Sequence, residues 1–121
     1  MLTQEFANQF AQDWIAAWNA HDLERILSHY RDDFEMTSPF ILAVTPNTTG
    51  ALKGKGQVRE YWSKALARSP DLQFEMDQVT FSIHSIALYY KNLTRHRHVI
   101  EWFLFDDDGK CIQSIAHYNQ I

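Results

Sequence analysis

Four aromatic residues recur at every fourth position near the start of the chain: Phe6, Phe10, Trp14 and Trp18. That spacing lays them along one stripe of a helix. Ala7, Ala11 and Ala17 widen the stripe, Gln4, Gln12 and Asn19 can face water, and Thr3 can cap the start, so residues 3–20 read as a helix. Asp22 reads as the N-cap of a short helix from Leu23 to Tyr30, with Leu23, Ile26, Leu27 and Tyr30 at helical spacing. Arg31-Asp32-Asp33 is a polar turn, and Phe34 to Ser38 alternates as a strand that Pro39 ends. Residues 39–53, with Pro39, Pro46, Thr48, Thr49 and Gly50, read as a long loop of the kind that binds or covers ligands. Helical spacing returns in Val58, Tyr61, Trp62, Ala65 and Leu66, which predicts a third helix over 55–68.

Strand patterns then follow one another. Leu72, Phe74 and Met76 alternate with Gln73, Glu75 and Asp77 in a strand running on to Ile83. Ile86 to Leu93 is the next, Val99 to Phe105 the next, and Cys111 to Ile121 the last. Between the last two lies Asp106-Asp107-Asp108-Gly109-Lys110, whose Asp-Gly pair is a hairpin signal. Strands joined by short hairpins pair antiparallel. Helices segregated from such a sheet make one α+β domain over 1–121.

The strand Val99 to Phe105 holds the most informative residue. Val99, Glu101, Phe103 and Phe105 share one face, and Ile100, Trp102 and Leu104 the other. Both faces are apolar, so both are expected to be covered. A carboxylate there is costly unless it is paired or protonated. Glu101 has two readings. It stands in an apolar cavity with a raised pKa, as general acid, base or ligand anchor, or it pairs with Arg97 on the same face or with a helix residue.

Composition narrows the classes. Of the 121 residues 45% are hydrophobic and 14% aromatic, which suits a thick core or an aromatic-lined pocket. The net charge of −4 disfavours nucleic-acid binding. Cys111 is the single cysteine, so no internal disulfide forms, as expected of a cytoplasmic protein. No apolar run is long enough for a membrane span, and the N-terminal stretch carries no secretion signal pattern. No dinucleotide-binding glycine pattern is present, so no cofactor is expected. His96 and His98 share a strand face but lack an evident third ligand, so no metal is expected either.

Four motifs, in order, carry a family resemblance. They are Trp18-Asn19-Ala20-His21-Asp22, Tyr30-Arg31-Asp32-Asp33-Phe34, Leu52-Lys53-Gly54-Lys55-Gly56, and Phe105 to Lys110 followed by Ala116-His117-Tyr118. Over nearly its whole length the chain resembles the SnoaL-like branch of the nuclear transport factor 2-like superfamily. The resemblance implies a strongly curved antiparallel sheet wrapped around N-terminal helices, with a conical cavity between them. Members include ketosteroid isomerase, limonene-epoxide hydrolase, polyketide cyclases, dehydratases and non-catalytic modules, so function has to be argued from the site.

Residue by residue, the resemblance sets Ser38, before Pro39, where ketosteroid isomerase has its Asp base. A serine hydroxyl is no base near neutral pH without an activating partner. Glu101 falls where the isomerase keeps a protonated Asp as oxyanion donor, and Trp14 where it has a donor Tyr. An indole N–H donates but cannot transfer a proton. Steroid isomerisation by that mechanism is therefore not expected, and the Asp-Arg-Asp set of the epoxide hydrolase is not in matching places.

The expected site is a cavity for a small apolar or aromatic molecule. Glu101 is its acid–base group, and its lining is drawn from Trp14, Trp18, Phe34, Met36, Ser38, Trp62, Phe103 and His117. His117 faces out if Ser114, Ala116 and Tyr118 face in, and a one-residue shift reverses this. The chemistry expected is that of a cofactor-independent isomerase, cyclase, dehydratase or hydrolase; the alternative is a non-catalytic ligand-binding or dimerisation module. The apolar row Ile100, Trp102 and Leu104, on the sheet face away from the cavity, predicts a homodimer of two-fold symmetry.

Overall fold

The structure, a computed structural model, describes residues 1–47 and 49–121; Thr48 lies outside the described residues. The first helix, α1, spans Gln4–Asn19, and Thr3 Oγ1 caps it by accepting from Phe6 N at 3.1 Å. Its stripe is buried as the four-residue spacing predicts, with Phe10, Trp14 and Trp18 all inside and the helix lying across β3 (Phe74–Phe81).

The second helix, α2, is shorter than expected. It spans Leu23–Leu27, with Asp22 Oδ1 accepting from Arg25 N at 3.1 Å. Tyr30 begins the strand β1, Tyr30–Thr37, instead of ending the helix. Its four-residue distance from Ile26 mimics helical spacing, but its buried ring is held from across the core, where its hydroxyl accepts from Trp14 Nε1 at 2.9 Å. Arg31, Asp32 and Asp33 form the exposed stretch of β1, where its pairing shifts register.

Residues 39–53 are not one loop. Helix α3 spans Pro39–Val44 and strand β2 spans Ala51–Lys53. Ser38 caps α3 by accepting from Phe40 N at 3.2 Å, and Pro39 occupies its first turn, where the missing N–H is no loss. Asn47 ties the connection to β2: its Oδ1 accepts from Thr49 N and Gly50 N, each at 2.8 Å. Helix α4, Lys55–Arg68, has the predicted bounds.

Strands β3, β4 (Ser85–Asn92), β5 (Arg97–Phe105) and β6 (Cys111–Tyr118) follow. Among the described residues the sheet has six strands in the order β2-β1-β6-β5-β4-β3. It is mixed, not wholly antiparallel as expected, because β1 pairs with β6 in parallel. Those two strands are far apart in sequence, so no hairpin fixes their direction. Register shifts interrupt the β1–β6, β3–β4 and β5–β6 ladders, the local irregularity by which a sheet bends.

The β5–β6 turn follows its sequence signal. Asp106 Oδ1 accepts from Asp108 N at 3.0 Å and Lys110 N at 2.9 Å, and Gly109 takes the φ of +77° that the turn requires. One face of β5 is buried at Val99, Glu101, Phe103 and Phe105; His98 and Ile100 on the other face are exposed, and Trp102 and Leu104 half-buried. The core lies between the first face and the helices. Burying each large apolar side chain there contributes about 1.5–3 kcal/mol.

Candidate functional site

Between the sheet and the helices lies a cavity of about 210 Å³. Helix α1 supplies Trp14 and Trp18, α4 supplies Trp62 and Tyr61, and β5 supplies Glu101. Met36 and Ser38, at the end of β1, complete the predicted residues that reach it.

Three predicted residues do not reach it. Phe103 is fully buried behind the wall, its ring 4.8 Å from that of Phe10 and 5.5 Å from that of Trp14. Phe34 is likewise sealed, 4.3 Å from the ring of Tyr30 and 6.1 Å from that of Trp62. His117 is exposed on the opposite face of the sheet with Ile100 and Trp102. Its neighbours settle the parity, since Ala116 and Tyr118 line the cavity and Ser114 is buried.

Glu101 is 5% exposed, between Leu88 of β4 and Ala116 of β6 in the ladder. The ion-pair reading does not hold. Among the described residues no cation lies against the carboxylate; the guanidinium of Arg97 instead stacks over Phe40, 4.6 Å from the ring centre. The partner of Glu101 is Tyr90, whose hydroxyl donates to Oε1 at 3.1 Å. Burial pushes the carboxyl from 4.5 up to about 7, against the smaller opposing pull of that hydrogen bond. Near neutral pH it therefore exists as acid and as base in comparable amounts, with Oε2 free of hydrogen bonds among the described residues.

The other wall is phenolic. Ser38, 2% exposed, lies beside the hydroxyls of Tyr61 and Tyr118. Burial raises the phenols of Tyr61, Tyr90 and Tyr118, so all three are protonated hydrogen-bond donors. The Ser38 oxygen is engaged as the α3 cap, a structural role that makes no base of it. Trp14 donates its N–H to Tyr30, whereas the buried Trp18 Nε1 has no partner among the described residues. Among the described residues no three His, Cys, Asp or Glu side chains gather as metal ligands. No helix among them is long and apolar enough to cross a membrane.

Tyr90, Tyr61, Tyr118, Arg68 and Arg95 also line the cavity, and sequence reasoning missed them. The parity of β4 would place Tyr90 with Leu88 and Ile86 inside. Its position beside Glu101 follows only from the β4–β5 register, which pairs Tyr90 with Val99.

What this arrangement can do is proton chemistry in a cavity walled largely by aromatic rings. One carboxyl poised near neutrality can take a proton from carbon or oxygen and return it elsewhere, and neighbouring phenols can donate to an oxygen that gains charge.

Comparison with known proteins agrees with this architecture. Residues 11–113 match the SnoaL-like domain family. A SnoaL-like protein of unknown function from Burkholderia thailandensis E264 is 46% identical, with a TM-score of 0.92 over 96% of each chain. The epoxide hydrolase/cyclase-like enzyme SalBIII, of pyran ring formation in polyether salinomycin, is 13% identical with a TM-score of 0.77, over 99% of this chain and 95% of that one. A protein of unknown function with a cystatin-like fold from Methylobium petroleophilum PM1 is 13% identical with a TM-score of 0.78, over 99% and 80%. The last two show a shared fold only. No curated protein matches the sequence. With a family match across most of its length and a relative of nearly half identity, the chain belongs to the SnoaL-like family.

Proposed function

We propose that this protein is a cofactor-independent enzyme acting on a small apolar or aromatic molecule, with Glu101 as its acid–base group. The reaction types that fit are isomerisation, cyclisation, dehydration and hydrolysis, each of which needs a proton moved. One observation carries the reading: Glu101 lines an aromatic cavity, is held by a phenol and not by a cation, and titrates near neutrality. Structural carboxylates buried in a core are normally ion-paired. The cyclase-like activity of SalBIII on the same fold is consistent with this chemistry.

A panel of enolisable ketones, β-hydroxy carbonyl compounds and epoxides tests it. Turnover of a panel member should fall about 100-fold or more in Glu101→Gln, and its kcat/KM should bend near pH 7. Binding without turnover, equal in wild type and variant, would favour the second reading, a non-catalytic ligand-binding module. That reading has its own support in Ser38, where the isomerase base is replaced by a helix cap.

The same proposal includes a homodimer through the outer sheet face. Ala87, Ile100, Trp102 and Ile115 form a shallow apolar hollow there, and Ile100 is 38% exposed in the single chain. The lone buried thiol of Cys111 fits a reducing, cytoplasmic setting.

A further inference from the structure

The cavity is charged opposite to the molecule that contains it. The chain carries −4 overall, yet the charged residues lining the cavity are Arg68, Arg95, Arg97 and the buried Glu101. The arginines belong to three separate elements. Arg68 ends α4, Arg95 lies in the turn after β4, and Arg97 opens β5. Among the described residues none of them is paired with a carboxylate, whereas Arg25, Arg31 and Arg59 elsewhere on the surface all are.

Two of the three are also held in place. Arg95 Nη2 donates to Ser69 Oγ at 2.8 Å, and Arg97 stacks over Phe40. Arg68 has an ordinary reason to stand in the last turn of a helix, where the dipole favours a cation. Arg95 and Arg97 stand at no helix end; they rest on a hydroxyl and a ring, with no carboxylate among the described residues to neutralise them. Trp18 lines the same cavity, and among the described residues its buried indole N–H has no acceptor.

We propose that the cavity takes an aromatic or alicyclic carboxylate, with its anionic group at the mouth between Arg68, Arg95 and Arg97 and its apolar body against Trp18 and Trp62. This rests on the reading of the cavity as a substrate site and narrows the substrate class. Strand β5 sets the length. Arg97 and Glu101 stand four residues apart on one face, which at about 3.3 Å per residue is roughly 13 Å between their Cα atoms. A carboxylate held by the arginine side chain thus leaves about the span of a ring system before Glu101. The volume agrees. A dry cavity of about 150 Å³ accepts benzene, so about 210 Å³ suits a substituted single ring or a fused pair.

The test uses 2-naphthoate and its neutral isostere 2-naphthamide, with 2-naphthalenesulfonate as a second anion, titrated against the intrinsic tryptophan fluorescence. Naphthoate should bind on the order of tenfold more tightly than the amide, as expected for a charge-assisted contact. The preference should shrink as salt rises from 20 mM to 500 mM. In the double variant Arg95→Gln/Arg97→Gln the preference for acid over amide should collapse to about twofold or less, and Arg95→Lys/Arg97→Lys should restore part of it. Sulfonate bound as tightly as naphthoate would keep the anion and overturn the carboxylate. Equal affinity for acid and amide in the wild type, or a preference that survives in the glutamine variant, would overturn the proposal while leaving the cavity a binding site. Binding of none of the three would overturn both.

Discussion

At the scale of residues, Glu101 is stabilised far less than a buried carboxylate usually is. Among the described residues its ionised form has one phenolic hydrogen bond and no counter-ion. The folded chain therefore holds its proton more tightly than the unfolded chain does. The sign follows from linkage: the folded state is free of the penalty below pH 4.5 and loses stability as the pH rises through about 7, by on the order of 3 kcal/mol. Glu101→Gln removes the titration with little change in shape. Thermal melts should show the variant level with wild type at pH 5 and more stable at pH 8.5; a gap that does not change with pH would contradict this. Tyr90→Phe removes the hydrogen bond that favours the ionised form, so the carboxyl should titrate above about 7. The oddity of Glu101 was legible in sequence, because an acid in the run Val99 to Phe105 has no surface face to occupy. The tryptophan stripe was legible for the same periodic reason. Phe34 and Phe103 share the cavity-facing parity but are covered by other rings, and parity cannot tell a wall from what stands behind it.

At the scale of elements, helix α4 and strand β6 carried strong signals, whereas α3 and β2 did not. A six-residue helix has too few turns to show a period, and its apolar run Phe40-Ile41-Leu42 is equally that of a loop or a strand. The legible clue was Ser38-Pro39, a cap followed by a first-turn proline. Tyr30 erred the other way, its spacing from Ile26 being helical by coincidence. The β5–β6 turn was readable because its chemistry is local. It also gives a stability test remote from the cavity. A Cβ at Gly109 would stand 3.2 Å from Phe6 Cε1, and φ there is +77°. Gly109→Ala should cost about 1–2 kcal/mol and lower the melting temperature with ligand binding intact. An unchanged melting temperature would mean that the turn relaxes without strain.

At the scale of the whole molecule, the two faces of the sheet divide the work. The inner face meets the helices and holds the cavity. The outer face leaves Ile100 exposed beside a half-buried Trp102 and Ile115. An apolar hollow on a sheet is the self-complementary kind of surface that two-fold dimers bury. Sedimentation at micromolar concentration should therefore give a dimer, and Trp102→Lys a monomer whose Glu101 titration is unaltered. A wild-type monomer would remove the dimer from the account and leave the cavity chemistry standing. The faces were legible from alternation along β5, whereas the order of strands was not, because β1 reaches β6 in parallel across most of the chain.

The most direct test is the side-chain carboxyl carbon of Glu101, followed by NMR through a pH titration of the ligand-free protein. A midpoint near 7 is expected. A midpoint at or below 4.5 would mean a solvated or ion-paired carboxylate, and the acid–base role proposed for Glu101 would fall with it.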